Sequence, residues 1–151
     1  MNLTQKEQGL LKDLRSQEKL CIEKYGRYAD AAADCTLRGL FSAIQSNEEA
    51  HLSTVERILA GEEVQTRTPP SAVSQTLQGS DCCCTEEQRT HDTYLCQDAL
   101  AMEKHVSSLY DVSIFEFSSP VLRDTLNAIQ KEEQNHGQQI YEYMARNGMY
   151  A

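Results

Sequence analysis

The 151-residue chain has no Trp, only three Pro and seven Gly, and 14 Lys and Arg set against 23 Asp and Glu. Each shortage excludes something. With so few helix breakers and turn formers, a mainly helical chain is expected. The net charge of −9 argues against nucleic acid, whose binding rests on neutralising phosphates. It also disfavours an anionic membrane surface, and it attracts cations. The N-terminal "MNLTQKEQGLLKDLRSQ" lacks the basic segment and apolar run of a signal peptide. No apolar stretch approaches the length of a membrane-spanning helix. The expected location is the cytoplasm, or an assembly built from it, and the length suits one domain over 1–151.

What is present is helical periodicity. Thr4-Gln5-Lys6-Glu7 reads as a capping box, and Leu10, Leu14, Cys21, Tyr25, Tyr28 and Ala32 recur at helical spacing after it. The first helix is expected over about 4–33. After a break at Asp34-Cys35-Thr36, a second follows over about 36–60 through Leu37, Leu40, Ile44, Val55 and Ile58, with Gly61 as its C-cap. Residues 62–84 lose the period and hold the one Pro-Pro, so a long linker is expected there. Thr85-Glu86-Glu87-Gln88 is a second capping box. It opens a helix to about 117, carrying Leu95, Ala99, Val106, Tyr110 and Ile114. Ser119-Pro120 starts a fourth helix over about 119–146, ended by Asn147-Gly148. A hairpin over 4–60, a crossover and a hairpin over 85–147 make an all-α four-helix bundle.

The hairpins repeat each other. A shift of 85 residues lays Glu18-Lys19 on Glu103-Lys104 and Tyr25 on Tyr110. The same shift lays Leu37-Arg38 on Leu122-Arg123, and Ala43-Ile44-Gln45 on Ala128-Ile129-Gln130. Glu48 falls on Glu133 and His51 on His136. No gap is needed, which points to a duplicated helical hairpin.

The duplicated polar residues are the candidate site. Positions i and i+3 share a helix face, so Glu48 and His51 lie with Ile44 and Val55, and Glu133 and His136 with Ile129 and Ile140. Glu18 sits between Leu14 and Cys21, and Glu103 between Ala99 and Val106. Each helix therefore sends a carboxylate towards the core, and two also send an imidazole. Within each run of adjacent glutamates the candidate ligands are Glu48, not Glu49, and Glu133, not Glu132. Four unpaired carboxylates in a core are prohibitively costly unless cations neutralise them. Oxygen and imidazole donors without thiolate suit iron or manganese, with zinc also possible. One Glu from each of two helices plus Glu-x-x-His from each of the other two is the di-metal carboxylate pattern.

On these residues the chain resembles the ferritin-like superfamily, in particular its rubrerythrin-type branch. The stretch from Glu18 to Ala29, with Tyr25 and Tyr28, is similar to the first-helix motif of that branch. "QDALAMEKHVSSLYDVSIFEFSSPVLRDTLNAIQKEEQNHGQQIYEYMARNGMY" resembles the coat F family of bacterial spore coat proteins. The resemblance implies a ferritin-like bundle with two iron ions. Glu48 and Glu133 would bridge them, Glu18 and His51 would complete one set, and Glu103 and His136 the other. It implies O2 or H2O2 as substrate in a peroxidase- or ferroxidase-type reaction, a homodimer or larger assembly, and spore coat proteins as partners. The rubredoxin-like domain of full rubrerythrins is missing, so an external electron donor is expected.

Several assignments stay open at this level. Tyr25 and Tyr110 are either core tyrosines or hydrogen-bond partners of the site carboxylates. Cys82, Cys83 and Cys84 lack zinc-knuckle spacing. They form either a redox-active or cross-linking cluster or a plain loop. Cys21 and Cys96 read as small apolar fillers, and His91 and His105 as solvated. The alternative function is a structural spore coat protein with a vestigial metal site, cross-linked through the linker cysteines.

Overall fold

The computed structural model describes residues 2–65 and 84–150. Four helices account for most of them: α1 (Gln5–Ala31), α2 (Cys35–Leu59), α3 (Glu86–Glu116) and α4 (Pro120–Arg146). Among the described residues there is no strand. Most of the expected 62–84 linker, including Cys82 and Cys83, lies outside the described residues.

The helix starts follow local chemistry. Thr4 and Glu7 close a reciprocal capping box on α1, and Thr85 and Gln88 do so on α3. The side chains of Asp34 and Ser119 cap α2 and α4, and Pro120 takes the first turn, where its missing N–H costs nothing. Gly61 and Gly148 follow the ends of α2 and α4 at φ 79° and 63°. This left-handed region disfavours a Cβ, so glycine ends these helices cheaply.

Contacts at the helix ends establish the topology. Glu7, at the start of α1, accepts from the Ser118 amide at the end of α3 (3.0 Å). Asp92, near the start of α3, accepts from the Ala33 and Asp34 amides after α1 (2.8 and 3.0 Å). Tyr143, near the end of α4, donates to Asp34 at the start of α2 (2.7 Å). Hence α1 runs antiparallel to α2 and α3, and α4 antiparallel to α2 and α3. The chain is a four-helix bundle of two hairpins. α2 and α3 run in the same direction, and the residues that join them lie mostly outside the described ones.

Apolar side chains from all four helices fill the interior, among them Leu11, Leu14, Leu37, Phe41, Ile44, Val55, Leu122, Leu126, Ile129 and Ile140, all at 0–1% exposure. Two expected core positions shift by one residue. Leu11 is buried while Leu10 is only half-buried, and Ser113 is buried while Ile114 is half-buried. Ser113 is tolerated because its hydroxyl donates to the Leu109 carbonyl one turn back (2.8 Å). No described helix is long and apolar enough to cross a membrane.

Candidate metal centre

At mid-bundle the apolar core gives way to charge. Glu18, Glu48, His51, Glu103, Glu133 and His136 converge there, all between 0 and 4% exposed. The two Glu-x-x-His pairs occupy the inward stripes of α2 and α4, three residues apart and therefore on one face. Glu18 on α1 and Glu103 on α3 close the ring. The stacked His51 and His136 rings have centroids 5.7 Å apart.

The donors form two overlapping groups. Glu18, Glu48, His51 and Glu133 make one; Glu48, Glu103, Glu133 and His136 make the other. Within each group one donor atom per residue lies within 4.8 Å of every other. Both imidazoles turn Nδ1 to the centre. His51 Nδ1 is 3.0 Å from Glu48 and 3.1 Å from Glu133. His136 Nδ1 is 3.4 Å from Glu48, 3.5 Å from Glu103 and 3.4 Å from Glu133. Donors about 2.0–2.2 Å from a shared ion stand roughly 2.8–3.6 Å apart in octahedral or tetrahedral geometry.

Several buried donor atoms have no hydrogen-bond partner: Glu18 Oε2, Glu48 Oε1, Glu103 Oε2, Glu133 Oε2 and His136 Nδ1. A buried polar atom left unpaired costs about 1–3 kcal/mol, more when charged, and here they cluster in one place. Without a cation the site must share protons. Burial pushes the Glu18 and Glu103 carboxyls well above the ordinary carboxylate range, and the nearby Glu133 adds to it. Burial also opposes ionisation of Glu133 and Glu48, but the close approach of the His136 and His51 imidazoles outweighs it and holds both below the usual range. The imidazoles move the other way. Burial works against their charge, yet the neighbouring carboxylates raise both well above the usual histidine value, Glu132 leading for His51 and Glu103 for His136. Two cations would replace those protons with fixed charge, so this donor set fits a di-metal occupant.

Tyr25 and Tyr110 are both core residues and partners of the site. Each is fully buried. Tyr25 donates a short hydrogen bond to Glu103, and Tyr110 one to Glu18. Each bond crosses from one hairpin to the other. Burial first, then the adjacent carboxylate, raises both phenols well above their ordinary value, so they remain donors.

Glu132, which the sequence reading left out of the site, adjoins it without belonging to either donor group. It is 3% exposed, and its carboxylate accepts from His51 Nε2 at 2.6 Å. The available signal was that 132 follows the inward positions 128 and 129 by four and three residues. The repeat hid it, because the residue 85 positions earlier is Asn47. That residue approaches His136 Nε2 at 3.3 Å from an exposed position. Glu49 is exposed, and so are His91 and His105.

The two core cysteines, Cys21 and Cys96, are not poised to react. Cys21 and Cys96 are buried and not disulfide-bonded. Burial, reinforced by Glu48 and Glu18, pushes the Cys21 thiol far up, and burial pushes Cys96 to about 12, so neither is a thiolate near neutrality.

Residues 91–151 match the family model of the Coat F domain. The Coat F match covers most of α3 and all of α4, with Glu103, Glu133 and His136. Glu18, Glu48 and His51 precede it, so half of the candidate centre lies outside the matched region. No curated protein and no solved structure matches the chain.

Proposed function

We propose that this bundle holds two iron ions at the buried centre and reacts there with peroxide or O2, in the context of the bacterial spore coat. The observation that carries the chemistry is the pair of four-donor groups sharing Glu48 and Glu133. The shared carboxylates suit bridging, and each group adds one carboxylate and one imidazole of its own. The Coat F match over 91–151 supports the spore coat context. Absence of thiolate among the donors favours iron or manganese.

Bound ferrous ions would supply the two electrons that, with two protons, take peroxide to two waters. The chain's residues supply the rest. Glu48 and Glu133 hold the ions close together. Tyr25 and Tyr110 fix the Glu103 and Glu18 carboxylates by donating to them, keeping these ligands from rotating. The apolar layers along the bundle axis limit the approach of bulk water to one side. The oxidised ions would need two electrons for the next turnover.

The test is metal analysis of the purified protein, followed by anaerobic Fe(II) loading and exposure to H2O2 or O2. Two ions per chain and rapid oxidation are expected. Fewer than two ions, or binding unchanged in Glu48→Ala and Glu133→Ala, overturns the reading.

A further inference from the structure

The 85-residue repeat extends to tertiary hydrogen bonds, which makes its exceptions informative. Gln45 donates to the Ile22 carbonyl and Gln130 to the Ser107 carbonyl, both at 3.0 Å. Arg38 donates to the carbonyls of Ala32 and Ala33, and Arg123 to those of Phe117 and Ser118. Tyr25 and Tyr110 bind each other's hairpin in the same way. The outer partners of the two site histidines break the pattern. His51 Nε2 meets a buried carboxylate, Glu132, at 2.6 Å, whereas His136 Nε2 meets the exposed amide of Asn47 at 3.3 Å.

That difference acts on a bound cation. With Nδ1 turned to a metal, Nε2 keeps its proton and donates outward. Glu132 accepts that proton with a full charge, making His51 the more basic and more firmly oriented ligand. Asn47 turns its amide Nδ2 towards His136 Nε2, so it would have to rotate its oxygen inward to accept that proton, and it brings no charge. Partners of this kind change metal affinity about 10–100-fold. Charge adds to the effect: Glu132 places a fifth carboxylate beside the His51 group and none beside the His136 group.

A second, independent asymmetry concerns access. An open groove of about 570 Å3 between α3 and α4 reaches Glu103 and Glu133. Ser107 and Gly137 line it, and a Cβ added at Gly137 would meet nothing within 4 Å. The equivalent positions of the first hairpin carry Ile22 and Leu52, both half-buried. Glu103 keeps 4% exposure against 0% for Glu18.

We propose that the two cation positions are inequivalent: the Glu18–His51 position retains its ion through Glu132, and the Glu103–His136 position exchanges its ion through the α3–α4 groove. This rests on the di-metal reading above. The experiment is anaerobic titration of chelator-stripped protein with Co(II), followed by calorimetry and cobalt absorption, then challenge with EDTA. Two binding steps separated by about 10–100-fold and two-phase release are expected. Glu18→Ala should abolish the tight step and Glu103→Ala the weak one. Glu132→Gln should bring the tight step towards the weak one, and Asn47→Asp, at an exposed position, should strengthen the weak step. Gly137→Leu should slow release of the weaker ion several-fold and leave the tight one unchanged. Two equal steps, or a Glu132→Gln protein that folds and keeps the full separation, overturn the inequivalence while leaving the di-metal reading intact. Absence of cobalt binding overturns both.

Discussion

Hairpin α1–α2 and hairpin α3–α4 use one framework to different ends. Arg38 and Arg123 brace the turns, Gln45 and Gln130 tie the helices of each pair, and Asp92 and Glu7 accept amides from the opposite hairpin. Around that framework the packing diverges. The first hairpin carries an aromatic cluster, Tyr25, Tyr28 and Phe41, with ring centroids 5.3–5.9 Å apart. The second has Tyr110, Ser113 and Leu126 at the equivalent positions. The first carries the half-buried Ile22 and Leu52 where the second has Ser107 and Gly137 lining an open groove. The two hairpins thus share the contacts that hold the carboxylates and differ in the residues around them.

The largest expected effect separates shared from unshared donors. Glu48→Ala and Glu133→Ala should each take bound metal from two ions per chain towards none, because both groups lose a donor. Glu18→Ala and Glu103→Ala should each leave one. Elemental analysis after gel filtration distinguishes the two patterns, and equal losses in all four variants would break the bridging assignment.

The next effect is pH-dependent and concerns the metal-free protein. His51 and His136 have folded values raised above the unfolded one. Their contribution to stability is therefore complete below about pH 6.5 and lost as pH rises through the raised values. Glu18 and Glu103 are also raised, so they pull the same way above the ordinary carboxylate range. Glu133 and Glu48 are lowered, and their contribution is present above about pH 4.5 and lost towards acid. Metal-free protein should accordingly lose stability as pH rises above about 6.5, by roughly 2–4 °C in Tm per kcal/mol lost. Metal should restore more Tm at pH 8 than at pH 6. Scanning fluorimetry with and without Co(II) measures this, and a metal effect independent of pH would count against proton replacement at the centre.

Smaller changes probe the symmetry itself. Tyr25→Phe and Tyr110→Phe each leave a buried carboxyl in the opposite hairpin without its donor, at about 1–3 kcal/mol. Urea unfolding of the metal-free variants should give similar losses for the two; a loss in only one would show that the crossed pairs are not equivalent. Gln45→Ala and Gln130→Ala remove one partly buried hydrogen bond each, about 1 kcal/mol apiece. Being in separate hairpins, they should add in the double variant to within about 0.5 kcal/mol.

The helices were legible because their signals are local. Capping boxes at Thr4 and Thr85, Pro120 at a first turn, and Gly61 and Gly148 just past the ends act within one turn of chain. Glu18 and Glu103, and the two Glu-x-x-His pairs, were legible because the repeat copied polar residues that a shared apolar pattern would not require. Glu132 was not legible, since its counterpart is Asn47 and its role depends on a histidine 81 positions away.

The amino-acid sequence by itself determined four amphipathic helices, two related hairpins, and four carboxylates and two imidazoles on inward faces. Helical period and capping depend only on neighbouring residues, so they are written along the chain. Only the tertiary structure decided that Tyr25 and Tyr110 cross between hairpins, that Glu132 is drawn inside to His51, and that one side of the centre faces a groove. Those outcomes depend on which helix lies against which, and on whether Leu52 or Gly137 stands at the seam.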